Sequence, residues 1–496
     1  MKTAPQCSGR GRHFHFFGWQ VITCLGLLLA CNALEANPYK PWANGPPSAD
    51  THFPIGVWYQ DINWAQQYAD AGINTYVYLD GLWRVGDDKN SGLQYLRNAG
   101  VKLITDQNEW SGFANDPAIV GWMLPDEPDN AQPLTGGGYG PPFTPAEMHT
   151  RYNAIKAADS TRPVYQNYGQ GVAYDGWVGR GVRTNHPEDY PEYINGGADI
   201  PSFDIYPANS TGAVQNQFWR VAYGVQRLVQ WSNPAQPVWC CIETTQIDST
   251  KGRKPTTTEM RAEVWMAVIH GARGINYFAH QISPFNASAL RQDPDMMAAI
   301  TRTNREIRDL APALYRPSVT NLATLASLVP DTPFDDTGIP PEVARLGFVA
   351  KEFEGYYYLL AVGMRDRTMQ ATFDLAGFTG TKTALVIGEN RTVDIVNGRL
   401  ADTFVKYEAH LYRIEKPAAP PKLRVTESLW TPGSFFLRWN TDPNAAYRLS
   451  WSTNLQTWNA LSGNYPSTDS TLTLAATVPE SALAFTDRYF IRVEKE

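Results

Sequence analysis

Two glutamates stand where short apolar runs stop. Glu127 follows Ile119-Val120-Gly121-Trp122-Met123-Leu124-Pro125-Asp126, and Glu243 follows Pro237-Val238-Trp239-Cys240-Cys241-Ile242. Runs of this kind have strand character. Two carboxyl groups on opposite sides of one cleft can hydrolyse a glycoside: one protonates the leaving oxygen, and the other attacks the anomeric carbon or activates water. A single strand-end glutamate is more often a surface or capping group. The pair carries the chemistry only if a scaffold brings both strand ends to one face.

That scaffold is legible in the alternation of elements. Strand-like segments at 53–59, 74–79, 101–105, 119–124, 162–167, 202–206, 237–242 and 274–278 are each followed by a helix-like segment or a long loop. Asp61 is placed to cap the first helix. Thr144-Pro145-Ala146-Glu147 has the capping-box pattern, a hydroxyl with Glu three residues on and Pro at the first helical position. The fifth unit is the weakest, because residues 169–200 are rich in Gly and Pro. Eight such units over about 260 residues predict a (β/α)₈ barrel, whose active-site groups come from the C-terminal ends of its strands.

On that expectation Trp58, Asp80 and Asn167 end strands one, two and five and face the same cleft as Glu127 and Glu243. Asn108-Glu109 follows strand three, too early for the pair, and reads as loop structure. Glu259 and Glu263 lie one helical turn apart and read as solvated, and Trp122 reads as barrel wall.

From about residue 313 the helical pattern gives way to strand-like runs at 345–353, 356–362, 371–373, 383–386 and 408–414, which predict a β-sandwich over 313–416. Residues 417–421 form a Pro-rich linker. A second small all-β module fills 422–496, similar in strand count to a fibronectin type III module. The fold class expected is therefore multidomain: an α/β barrel at 37–312, then two all-β sandwiches.

Residues 1–36 read as an export signal, with Arg10 and Arg12 before an apolar stretch and small residues at Ala30, Ala33 and Ala36. A retained anchor is the alternative. Leu28-Leu29-Ala30-Cys31 resembles a bacterial lipobox, which would place a lipid, and with it a membrane attachment, at Cys31. Cys240 and Cys241 are adjacent on one strand, so they point to opposite faces and are not expected to bond to each other. No Cys or His group has metal-ligand spacing, and no metal or other cofactor is expected. The formal charge of −7, with no basic run beyond the N-terminus, disfavours nucleic acid as a partner. The 16 Trp and 25 Tyr supply flat rings suited to cores and to sugar stacking alike.

With these residues placed, the 53–312 region resembles the retaining glycoside hydrolases of clan A. Trp265 to Phe278 resembles that clan's passage from helix seven to strand eight, and Phe404 to Ile414 the end of the β-sandwich that often follows such barrels. The resemblance implies that Glu127, on strand four, is the acid/base and Glu243, on strand seven, the nucleophile. Glu127 would then need a raised pKa, with Asp126, Asp129 and Glu243 as sources of negative charge.

The resemblance also implies that Tyr206 orients the nucleophile and that the substrate is a β-linked glycan; Trp58, Asp80, Asp126, Asn167 and Tyr206 are the expected contacts, and His280, just past strand eight, either touches substrate or packs the loop. Two positions depart from the clan. Asp126 stands where Asn usually donates to a sugar hydroxyl, and His280 stands near a usual Trp. Those departures keep open a second class of function, a catalytically silent barrel that binds carbohydrate. An inverting hydrolase, with a wider carboxyl gap, is a third reading. The Gly/Pro-rich insert at 129–143 is the loop expected to narrow the cleft into a pocket and favour terminal cleavage.

Overall fold

A computed structural model describes residues 37–79, 88–180 and 186–417, and within the C-terminal module 423–431, 434–442, 445–461, 464–467, 473–479 and 490–495. The expected export signal with Cys31, and the site candidate Asp80, lie outside the described residues.

Eight parallel strands form the first sheet: β1 Ile55–Gln60, β2 Thr75–Leu79, β3 Lys102–Asp106, β4 Ile119–Met123, β5 Val164–Tyr168, β6 Ile200–Phe203, β7 Trp239–Glu243 and β8 Gly274–Phe278. The helices between them are α1 Ala65–Asp70, α2 Lys89–Ala99, α3 Gln107–Trp110, α4 Pro145–Ala158, α5 Tyr190–Ile194, α6 Trp219–Trp231, α7 Thr257–Ile269 and α8 Pro294–Leu314. α5 has only five residues, as the Gly/Pro content of its unit predicts. The expected capping box is present on α4, and a second one, Thr256 with Glu259, opens α7.

The strand order runs β6-β5-β4-β3-β2-β1-β8-β7, so the backbone ladder circles the barrel and opens only between β6 and β7. β4, β5, β6 and β7 are buried along their whole length, as strands covered by helices on one side and barrel interior on the other must be. Trp122 is buried and donates its indole N–H to Asp159 at 2.9 Å, in the wall as expected.

Strands β9 Ala323–Pro330, β10 Leu346–Phe353, β11 Tyr356–Gly363, β12 Met369–Leu375, β13 Thr381–Val386, β14 Arg391–Val396, β15 Arg399–Phe404 and β16 Ala409–Glu415 follow α8. They make one antiparallel sheet in the order β10-β11-β16-β13-β14-β15-β12-β9. The sheet folds over its own core: Phe348 of β10 meets Phe373 of β12 edge-on at 5.3 Å, although five strands lie between β10 and β12 along the ladder.

This layer packs directly on the barrel. Leu360, Val362 and Leu411 belong to the barrel's core, Arg261 of α7 donates to the Ala409 carbonyl at 2.8 Å, and Gly347 leaves room for the His270 ring, which lies 2.6 Å from where a Cβ would be. The described residues between 37 and 416 are thus one compact unit.

In the second layer His410 is buried, with Glu389 at 2.5 Å on Nδ1 and Glu408 at 3.4 Å on Nε2. Burial alone would lower its pKa, but the hydrogen bonds and charges of the two glutamates outweigh it and raise His410 to about 9. A raised cationic pKa stabilises the fold fully below the ordinary value of about 6.5, and that stability is lost as pH rises through about 9. We expect denaturation midpoints of the full chain to fall across pH 7–9.5, by on the order of 3 kcal/mol in stability. His410→Gln should flatten that limb.

The C-terminal module has strands β17 Val425–Thr431, β18 Ser434–Asn440, β19 Ala446–Ser452, β20 Asn459–Ala460, β21 Tyr465–Pro466, β22 Thr473–Pro479 and β23 Phe490–Lys495. They form two antiparallel sheets, β17-β18-β22 and β19 with β20, β21 and β23. Its core holds Leu437, Trp439, Tyr447 and Leu449. No helix among the described residues is long and apolar enough to cross a membrane.

Candidate active site

Inside the barrel, strand alternation sets which side chains meet. Cys241 of β7 faces Asn167 of β5 (Sγ to Oδ1, 3.6 Å) and Asn276 of β8 (3.8 Å). Cys240 and Cys241 are both free thiols, as expected. At the C-terminal mouth Asn167 becomes a bridge: its amide donates to Asp126 Oδ1 at 3.0 Å and to Asp204 Oδ2 at 3.4 Å. Tyr206 also donates to Asp204 Oδ2, at 3.4 Å.

Glu127 is held against the same strand through its backbone, whose N–H donates to the Asn167 carbonyl at 3.0 Å. Its φ is 44°, a left-handed conformation that costs a non-glycine residue about 1 kcal/mol or more and persists only where its surroundings enforce it. Here the enforcement comes from that bond and from Asn130 N–H and the Gln132 amide, which both donate to the Glu127 carbonyl. Such strain gathers at functional sites.

The four carboxyls Asp126, Glu127, Asp129 and Asp204 make a dense negative cluster. Asp126 is open to solvent, yet protein atoms surround it otherwise, as on the floor of a cleft. Desolvation and then the Glu127 charge raise it. Desolvation raises Asp204 strongly, with Glu127 the largest of the charges that add to it. Asp129 is pushed up to about 6 by burial and Glu127, against hydrogen bonds from Gly169 N–H and the Tyr190 hydroxyl that hold it in place.

Arg180 answers part of this charge. Its guanidinium donates to Glu127 Oε2 at 2.8 Å, and the Asn130 amide donates to the same oxygen at 2.7 Å. The Tyr139 ring, on the 129–143 insert, lies 5.5 Å from that guanidinium, so the insert stays at the cleft rather than folding away.

Glu243 ends β7 as expected, but the structure surrounds it differently from the sequence reading. It is fully buried. Ala208 N–H donates to Oε1 at 2.6 Å, while Asn209 N–H (3.0 Å) and the Asn209 amide (2.7 Å) donate to Oε2. Asn209 also donates to the Thr245 carbonyl and accepts from Ile247 N–H. Glu243 therefore ties the end of β7 to the loop after β6, across the one gap in the barrel ladder. Tyr206, expected to orient Glu243, donates to Asp204 instead.

The expectation that Glu259 and Glu263 are solvated is corrected. Glu259 is 7% exposed, caps α7 and pairs with Arg253 at 2.7 Å on both oxygens. Glu263 is fully buried beside Glu243, and no well-formed hydrogen bond reaches its oxygens. Burial and the Glu243 charge raise its pKa strongly, so it keeps a proton and can donate it toward Glu243. A raised carboxyl stabilises the fold fully below its unfolded pKa, and that contribution disappears as pH rises through the folded value. Glu263→Gln, which keeps a donor without a titrating proton, should lessen the fall of the melting temperature as pH rises above about 4.5.

Of the remaining candidates, Trp58 is half-buried on the inner face of β1, and Asn108-Glu109 is exposed in α3. His280 is 2% exposed, sits 3.2 Å from the Gln60 amide and is lowered to about 4 by burial, so it is a neutral packing group beneath the rim. The sequence reading missed Asp204 and Arg180. Asp204 had a signal: it shares the face of Ser202, whose register partner is Asn167. Ending strand six at Tyr206 rather than Phe203 hid it. Arg180, in a loop, had none.

The chain matches no family model and no curated protein in sequence. In structure it is similar to a glycoside hydrolase family 5 protein from Bacteroides vulgatus ATCC 8482, with 14% identity and a TM-score of 0.44 over 76% of this chain and 95% of that one. It is also similar to an α-amylase from Geobacillus thermoleovorans complexed with acarbose (10%, TM-score 0.47, 75% and 100%), and to a GH30 endoxylanase from Clostridium papyrosolvens C71 (12%, TM-score 0.39, 73% and 96%). Likeness at this distance carries no argument about chemistry, which rests on the site itself.

Proposed function

We propose that the chain is a glycoside hydrolase that cleaves a β-linked oligo- or polysaccharide by double displacement, with retention. One observation carries the reading: the Asp126 and Asp204 carboxyls meet the Asn167 amide, and the Glu127 backbone is bonded to the same residue, at the C-terminal mouth of a parallel barrel, the face from which such barrels do chemistry. Glu127 is the acid/base. Asp204, across Asn167, is the carboxylate that attacks.

Burial and then the Glu127 charge raise Asp204, so the acid role of Glu127 would relieve part of that bias and favour Asp204 as the carboxylate. Asp126 Oδ2 is left to accept from a sugar hydroxyl, which suits an Asp at this position.

A second reading keeps Glu243 as nucleophile, as the resemblance implies. Its place at the end of β7 favours that reading; its burial and its three donors oppose it. A third, a barrel that binds glycan without cutting it, is favoured by the Arg180 and Asn130 contacts that occupy Glu127 Oε2. We also propose that residues 1–36 direct export, with a lipid at Cys31 as one form of attachment, and that the fibronectin-like module spaces or weakly anchors the enzyme. Reducing-sugar release from β-glucan, xylan and galactan by the wild type, absent in Glu127→Gln, tests the function. No release from any of them by the wild type counts against it.

A further inference from the structure

We propose that the barrel rim around Phe285 is a stacking subsite for a glycan chain longer than one sugar. The identity of the ligand as glycan rests on the glycosidase reading; the site itself rests on geometry. Phe285 is 66% exposed, and its ring stacks on His280 with centroids 6.3 Å apart and planes 29° apart. One face is thus supported and the other is left to solvent.

The loop is firmly built. Gln281 and Asn286 exchange backbone hydrogen bonds of 3.0 and 2.8 Å, Ile282 N–H donates to the Ile247 carbonyl at 2.6 Å, and Ser249 N–H donates to the Ser283 carbonyl at 2.8 Å. A large ring held rigidly in water needs little further ordering when a ligand covers it.

The rings continue inward from there. His280 leans on Phe278 (5.6 Å), and Phe278 on Tyr206 (5.1 Å), whose hydroxyl reaches Asp204. A second branch runs from His280 to Tyr59 (5.8 Å), which stacks on Tyr78 at 5.4 Å with planes 15° apart. Tyr59 and Tyr78 both have positive φ, 49° and 63°, a cost of about 1 kcal/mol or more each that the strand ends sustain.

Neither tyrosine hydroxyl has a hydrogen-bond partner among the described residues. Apolar faces edged by free hydroxyls match the C–H face and hydroxyl rim of a sugar better than they match a lipid or an apolar peptide. Two rings separate Phe285 from Tyr206, with successive centroids 6.3, 5.6 and 5.1 Å apart, so a ligand touching both Phe285 and the carboxyl cluster is expected to be longer than one sugar.

The test is affinity electrophoresis of the full chain through gels containing mixed-linkage β-glucan, xylan or galactan. All proteins compared carry Glu127→Gln, so that hydrolysis does not erode the ligand. Phe285→Ala is compared with that parent, and Tyr95→Ala, which removes an exposed ring on α2, is the control; melting temperatures check the fold. We expect at least one polysaccharide to retard the parent and the Tyr95 variant equally, and Phe285→Ala to bind it about tenfold more weakly. Equal retardation of all three proteins, or retardation of none, overturns the subsite. Wild-type hydrolysis is measured separately: turnover with no Phe285 effect removes the subsite alone, and a Phe285 effect without turnover removes the glycosidase reading alone.

Discussion

Glu127→Gln is expected to lower kcat/KM by about 10²–10⁴ on substrates with poor leaving groups, the range that general acid catalysis contributes. The loss should shrink for a dinitrophenyl glycoside, whose leaving group departs without a proton. That leaving-group dependence separates an acid from a nucleophile, since removing a nucleophile harms both substrate types alike. Stability should change little. The ion pair to Arg180 is partly exposed, and such pairs are worth about 1 kcal/mol or less. Steady-state kinetics on paired aryl glycosides, with melting curves alongside, check both halves of the expectation. Equal losses on both substrates would move Glu127 from acid/base to nucleophile.

The second large effect divides Asp204 from Glu243. Asp204→Asn should lower kcat by about 10⁴-fold, as loss of a catalytic nucleophile does. Its melting temperature should hold or rise, because the substitution swaps a buried, proton-holding carboxyl for a neutral group of the same shape. Glu243→Ala should do the reverse in stability. It leaves Ala208 N–H, Asn209 N–H and the Asn209 amide without their acceptor across the barrel seam, a loss of about 3 kcal/mol or more at 1–3 kcal/mol for each buried group. Activity lost through that variant should return in part at low temperature. A stable Glu243→Gln variant with no activity, beside an active Asp204→Asn, would restore Glu243 as nucleophile.

The barrel was legible because its strands are continuous buried runs, and their period does not depend on what they pack against. All eight segments lie where the sequence places them, within a few residues. The second all-β layer was legible in part. β14 and β15 went unread although Asn397-Gly398 joins them, and both residues have positive φ, as a tight hairpin turn of this type requires.

The site was harder. Glu127, Asp126, Asn167 and Tyr206 do converge, since strand ends of a barrel have nowhere else to go. Glu243 shows the limit of that argument: a strand-end carboxylate also serves to close a seam, and the donors that claim it, Ala208 and Asn209, come from a loop whose path is tertiary. Glu263 reads as an ordinary helical glutamate until α7 is packed onto β7. Phe285 is one apolar residue in a loop, and nothing local distinguishes it from a chance exposure.

Proton NMR of the wild-type enzyme acting on a panel of β-linked oligosaccharides and aryl glycosides tests the central claim most directly. Cleavage of at least one is expected, with the β-anomer of the new reducing end appearing first and mutarotating afterwards. First appearance of the α-anomer would contradict the double displacement and point to inversion. No cleavage of any member would contradict hydrolysis itself and leave the carboxyl cleft as a glycan-binding site.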